Sequence, residues 1–192
     1  GYSHHYPVIP FPINIDSIKY RDNIVNNKII IFHGLNRETA KGTRFIREAL
    51  KRIKKKYPDK VEIIIDGHMP FEKYTKVMMK ANIVIDQCLT YGYGINACIA
   101  MAQGKVVLAP CHKETLDSFK ISEAPIINIY PDSNQIFKQL EYLVLNSEQI
   151  PEIGRKSRDY VEKMHNYKII AEKYLNAWLT VINKDKIVYE EV

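Results

Sequence analysis

No run in the 192 residues approaches the roughly 20 apolar side chains that a membrane-spanning helix needs, and no signal-peptide pattern opens the chain. Cysteine is scarce. Cys88, Cys98 and Cys111 are odd in number and lack metal-ligand spacing, so they read as reduced thiols filling core space in a cytoplasmic protein. Two phosphate-binding signatures are also missing. The loop GLNRETAKG after the first strand candidate has no G-x-G-x-x-G, which argues against dehydrogenase-type dinucleotide binding, and the absence of G-x-x-x-x-G-K-[ST] argues against a phosphate-loop kinase. No nucleophile and base stand together. His33, His68 and His112 are scattered over different loops, and the adjacent His4 and His5 have no further ligand-type neighbours, so neither a catalytic histidine nor a metal site is expected.

What the chain does have is positive charge and a repeating pattern. Lys and Arg number 28 against 22 Asp and Glu, a net charge of +6, which favours an anionic partner without naming one. Much of the excess (Lys51, Arg52, Lys54, Lys55, Lys56) falls on the exposed side of one helix. No sheet face interleaves basic with aromatic residues as a nucleic-acid binder would, so nucleic acid is not an expected partner. The length suits one core with terminal additions. Residues 1–27, opening with the proline-bearing GYSHHYPVIPFPINID, read as an extended interdomain connection; 28–165 as the domain; and 166–192 as a closing helix and tail.

Within the domain, short branched runs at 28–33 (KIIIFH), 61–65, 83–85, 106–108 and 125–129 have the signature of buried strands. Helical periods separate them. Phe45, Ile46, Ala49, Leu50, Ile53 and Tyr57 share one face until Pro58, and 71–80 turns Tyr74, Val77 and Met78 inward. A small-residue helix over 95–103 stops at Gly104, and 110–122 has room for one helical turn. The last third predicts a helix over 133–145 capped by Ser133, a break at Pro151 and Gly154, then helices over 155–165 and 167–182 with Trp178 as a core or interdomain anchor. Strands alternating with helices predict an α/β fold: a Rossmann-like parallel sheet with helices on both faces and extra helices at the C-terminus.

In such a sheet, ligands bind beyond the carboxyl ends of the strands. There the sequence places Arg37 and Lys41 after the first strand, and the turn TYGYG, with Gly92 and Gly94, after the third. Glycines allow the sharp turn, and the amides that open the next helix lack intrahelical partners, so the corner favours an anion. An ordinary parallel α/β protein needs such turns too. Arg37, with its fork of donors, and Lys41, as a point charge, are matched to a diphosphate.

Taken in order, PFPINID, HGLNRETAKGTRFIREAL, IVIDQ, the glycine turn, AMAQGKVVLA and GRKSRDYVEKMHNYKIIAEKYLNAW resemble the C-terminal, nucleotide-sugar-binding lobe of the GT-B glycosyltransferases of the group-one, or family-four, class. The resemblance covers about residues 9–178. It implies an enzyme fragment that binds a nucleotide-diphosphate sugar without a metal or other cofactor. Arg37 and Lys41, with the backbone around Tyr91, Gly92 and Gly94, would hold the diphosphate. The implied acceptor is a glycan or glycolipid, with a missing N-terminal lobe as partner and possible peripheral membrane contact through a lipid-linked acceptor. Two glutamates eight positions apart flank this turn in the family; here those places hold Tyr91 and Ile99. The second normally accepts ribose hydroxyls, a role that isoleucine cannot fill and that Asn96, nearby on the helix, could take over. The segment between Ile65 and Phe71 is also short. The alternative reading is therefore a degenerate, non-catalytic module kept for assembly or regulation.

Overall fold

A computed structural model describes residues 8–35 and 38–190, with side chains to residue 182. His4, His5 and Arg37 lie outside the described residues. Five parallel strands form one sheet: β1 (Ile29–Gly34), β2 (Val61–Asp66), β3 (Ile83–Ile85), β4 (Val106–Ala109) and β5 (Ile126–Asn128), in the spatial order β2-β1-β3-β4-β5. The pleat sends alternate side chains to opposite faces. Ile31, Ile83, Ile85, Val106 and Leu108 enter one core, while Phe32, Val84, Val107 and Ala109 enter the other.

Helices cover both faces. On the first lie α2 (Thr43–Lys56), through Ile46, Ala49, Leu50 and Ile53, and α6 (Ser133–Leu145), through Ile136, Leu140, Leu143 and Val144. Burying each of these large aliphatic side chains stabilises by roughly 1.5–3 kcal/mol. On the second lie α3 (Phe71–Lys80), through Tyr74 and Met78, and α4 (Ile95–Ala102), whose Ala97, Ala100 and Ala102 let it sit close to the strands. β2 is an edge strand with Glu62 and Asp66 exposed and only Val61 fully buried, so the expectation of a strand buried on both faces holds for the central strands and not for this one.

Local chemistry set several boundaries that periodicity alone misplaced. The loop after β1 forms a short helix, α1 (Glu38–Lys41), before Gly42 turns left-handed at φ +72° and α2 begins. The 110–122 stretch holds a seven-residue helix, α5 (Lys113–Phe119). Asp132, not Ser133, caps α6: its carboxylate accepts from the amides of Asn134 and Gln135, the first at 2.7 Å. There is no break at Pro151 and Gly154. Pro151 occupies the first turn of α7 (Ile150–Met164), where a missing N–H costs nothing, and Gly154 lies inside that helix. A Cβ on Gly154 would stand 2.2 Å from the Gly104 carbonyl oxygen, so a glycine there permits close packing of α7 on the turn between α4 and β4. Gly104 itself takes φ +80°, the left-handed stop expected of it. Trp178, on α8 (Tyr167–Glu190), is 63% exposed and not part of this domain's core.

Two segments distant in sequence meet at the junction of α7 and α8. The Ile13 amide donates to the His165 carbonyl at 2.7 Å, and the Tyr167 amide donates back to the Ile13 carbonyl at 3.1 Å. The extended N-terminal segment is thereby stitched to the C-terminal helices.

Candidate functional site

The strand order fixes where a crevice can form. From β1 the chain moves to β2 on one side and then returns to β3 on the other, so the connections leaving β1 and β3 diverge over opposite faces. In open parallel sheets this switch point, beyond the carboxyl ends of the strands, is where ligands sit. The two stretches singled out in the sequence flank it. Lys41 ends α1 after β1, and the glycine turn follows β3.

Lys41 is 6% exposed and its Nζ donates to Asp86 Oδ1 at 2.9 Å; Asp86, the residue after β3, is 3% exposed. The other carboxylate oxygen reaches the turn: a Cβ built on Gly94 would lie 3.4 Å from Asp86 Oδ2. One carboxylate therefore separates the ammonium from the glycine corner. The Lys41 carbonyl also accepts from the Cys88 amide at 2.9 Å, which ties the two loops together. Asp86 was not singled out in the sequence. The signal was present, an acid directly after a wholly apolar IVI run, facing a lysine across the switch point.

The turn itself is braced from three sides. Gln87 Nε2 donates to Thr90 Oγ1 at 2.8 Å, and Thr90 Oγ1 donates to the Gly92 carbonyl at 2.7 Å. The Tyr91 carbonyl accepts from the His112 amide at 3.1 Å and from Thr115 Oγ1 at 2.9 Å, docking the turn onto the start of α5. A Cβ on Gly92 would press on Thr115 Oγ1 at 3.0 Å. The Tyr91 side chain is 73% exposed. Beyond the turn, the first bond of α4 runs from the Cys98 amide to the Gly94 carbonyl at 3.2 Å, and Gly94 has no side chain with which to cap. The amides of Ile95, Asn96 and Ala97 are left without a backbone acceptor among the described residues, the arrangement that favours an anion at a helix N-terminus.

His33 sits behind this corner with a structural task. It is fully buried; its Nδ1 is 2.8 Å from the Ile85 carbonyl and its Nε2 is 2.9 Å from Thr43 Oγ1. A carbonyl only accepts, so Nδ1 carries the proton and Nε2 accepts from the threonine hydroxyl. Burial pushes the imidazole down to about 4, so it is neutral at physiological pH. The ring clamps β1 to β3 and to the first residue of α2. His68 is exposed at the edge of the sheet, and His112 stacks on Tyr130 with ring centroids 4.7 Å apart.

Of the residues picked from sequence, Lys41, Tyr91, Gly92, Gly94 and Asn96 thus fall along one rim. Asn96 is half-buried in the first turn of α4. Ile99 lies one turn on, 8% exposed, and with Phe71, Met79, Ile95 and Gln103 it lines a largely apolar groove of about 420 Å³ between α3, α4 and the N-terminal segment. Among the described residues no cluster of three His, Cys, Asp or Glu side chains could hold a metal ion, and no helix is long and apolar enough to cross a membrane.

No family model matches the chain, and no curated protein matches it significantly. Solved structures do. Sucrose-phosphate synthase from Thermosynechococcus elongatus superposes with a TM-score of 0.64 at 17% identity, over 92% of this chain and 52% of its own. Anabaena HepE, solved in complex with UDP and glucose, gives 0.59 at 12% identity over 80% of this chain and 49% of its own. The C-terminal domain of the glycosyl transferase group 1 family protein LpcC from Francisella tularensis gives 0.50 at 20% identity, over 84% of this chain and 95% of that domain. The chain has the fold of one Rossmann-like half of a GT-B protein. It spans about half the length of the first two of these structures, and in this fold the glycine corner and Lys41 occupy the carboxyl rim of the sheet.

Proposed function

We propose that this chain is the donor-binding lobe, the C-terminal one, of a group-one glycosyltransferase that transfers a sugar from a nucleotide diphosphate to a glycan or glycolipid acceptor. The observation that carries the reading is the Lys41–Asp86 pair set against the uncapped amides behind Gly94, at the switch point of a GT-B-like sheet. HepE, of the same fold, is described with UDP and glucose. As the sugar leaves, charge builds on the diphosphate, and preorganised donors aimed at that charge are the main electrostatic aid such a site can supply. Asp86 holds one of the three ammonium hydrogens of Lys41 and fixes its direction, leaving the others for phosphate oxygens. The amides of Ile95, Asn96 and Ala97 add neutral donors. Acceptor binding and any general base belong, in this reading, to a second lobe, so the lobe alone binds donor and turns over little.

Calorimetry with UDP and GDP and their sugars tests the proposal. Removing Lys41 alone strands a buried carboxylate and should cost roughly 3–5 kcal/mol of stability. The informative variant is therefore the double one, Lys41→Met with Asp86→Asn, which should fold, as checked by urea titration, and lose nucleotide affinity at least tenfold. Because Ile99 offers no acceptor to a ribose, Asn96 is the remaining one nearby, and in Asn96→Ala a 2′-deoxynucleoside diphosphate should bind within a few-fold of its ribose counterpart. A folded wild-type chain that binds none of these nucleotides would instead support the second reading, a non-catalytic module, which Tyr91 and Ile99 in place of the two expected glutamates favour.

A further inference from the structure

Behind the glycine turn lies a buried polar chain that the anion site does not use. Tyr93, between the two glycines, is 6% exposed, and its hydroxyl is 2.9 Å from His165 Nε2 and 2.7 Å from the Tyr160 hydroxyl. His165, fully buried at the end of α7, places Nδ1 2.9 Å from the Phe11 carbonyl. With the ring neutral, these partners fix the direction of every proton. The Phe11 carbonyl can only accept, so Nδ1 carries the hydrogen and Nε2 holds a lone pair; Tyr93 must donate to that lone pair, and Tyr160 must then donate to the Tyr93 oxygen. The surroundings favour this single arrangement. The His165 ring is faced by Tyr93 from the turn, Cys98 from α4 at 3.8 Å, Tyr160 from α7 and Phe119 from α5, and among the described residues Lys173 of α8 is the charged group that acts on it. Burial holds the imidazole below its ordinary range, the Phe11 bond opposes this, and Lys173 adds to it, so the ring is neutral at physiological pH.

The chain joins three parts of the molecule that no strand connects: the turn, the junction of α7 and α8, and residues 11–13, whose backbone is stitched to that junction. We propose that Tyr93 and His165 are positioning residues that couple the glycine turn to this junction, so that a ligand ordering the turn is felt where the N-terminal segment and the C-terminal helices meet. The idea deepens the nucleotide reading of the corner by naming what holds the corner in shape and what its occupation moves. Both residues act through others: the Tyr93 side chain is buried behind the turn, and His165 follows the last residue of α7. A hydrogen-bonded chain buried in low dielectric is worth more together than its members singly, and losing its central hydroxyl leaves the His165 lone pair only the weak thiol donor of Cys98, 3.9 Å from Nε2.

The test has one arm that needs no ligand and one that does. Long-range nitrogen-15 spectra of the wild-type chain at neutral pH should show His165 as the Nδ1–H tautomer. Exchange of the Cys98 and His112 amides, whose acceptors are the Gly94 and Tyr91 carbonyls, should quicken roughly five- to tenfold in Tyr93→Phe relative to amides in α2 and α6. His165→Gln, whose amide can still accept from Tyr93, should restore most of the protection that His165→Leu loses. In the second arm, UDP should shift the His165 ring nitrogens in the wild type and leave them unshifted in Tyr93→Phe. An Nε2–H tautomer, or turn amides that exchange alike in wild type and Tyr93→Phe, overturns the coupling. Exchange that changes as expected in a chain binding no UDP upholds the coupling and counts only against the nucleotide reading.

Discussion

At the scale of single residues, the carboxyl rim works because buried polar groups are satisfied by partners remote in sequence. Lys41 and Asp86 are 45 positions apart and His33 meets Ile85 across 52. For His33 the consequence is a pH dependence of known sign. Its folded imidazole titrates near 4 against about 6.5 in the unfolded chain, so between those values the unfolded state binds more protons and stability falls as pH falls. Above about pH 6.5 both states are neutral at this site and the group contributes no slope. Urea titrations from pH 7 down to pH 4 should show a loss attributable to His33 of roughly 3 kcal/mol, absent from the slope of His33→Gln whatever that variant's stability at pH 7. Its role was hidden in the sequence: a histidine ending KIIIFH looks like a loop residue until β3 is known to lie beside β1. The same holds for Asp86, because a sequence presents charges without their partners.

Among the elements, those built on hydrophobic period were legible. α3 spans 71–80 and α6 spans 133–145 as the apolar spacing predicts, because one buried face decides each of them. The central strands were legible for the same reason, their branched residues being buried from both sides. Boundaries decided by a single side chain were not. At the start of α6 the choice between Asp132 and Ser133 turns on one residue of register, and only the 2.7 Å bond from the Asn134 amide settles it. Asp132→Ala should therefore lower stability by about 1 kcal/mol, while Ser133→Ala stays within about 0.5 kcal/mol of wild type; chemical denaturation of the two variants measures both. Pro151 and Gly154 misled in the opposite direction. Both normally punctuate helices, yet one sits in a first turn where proline fits and the other is needed for its missing Cβ, an interhelical reason that no local rule contains.

At the scale of the whole molecule, the most conspicuous exposed apolar stretch among the described residues lies on α8, where Tyr174, Leu175, Trp178, Leu179 and Ile182 are each 40% or more exposed. Trp178 is the sole tryptophan, so its fluorescence reports this helix alone. Emission should sit at the wavelength of a hydrated indole and be quenched freely by iodide, and Trp178→Ser should leave the urea midpoint unchanged within about 0.5 kcal/mol of stability. A blue-shifted, protected indole would contradict the exposure described above. The switch point carries a different consequence. Its walls come from the ends of β1 and β3 and from the starts of α2 and α4, pieces far apart in sequence that the folded sheet brings together, so the unfolded chain does not present the corner. Anything lodged there is bound to the native state alone and must raise the melting temperature of the full domain, by an increment that grows with the logarithm of its concentration. A plate of anions screened by thermal shift, run beside the Lys41→Met, Asp86→Asn variant, thus reads occupancy of this corner without any reaction having to occur.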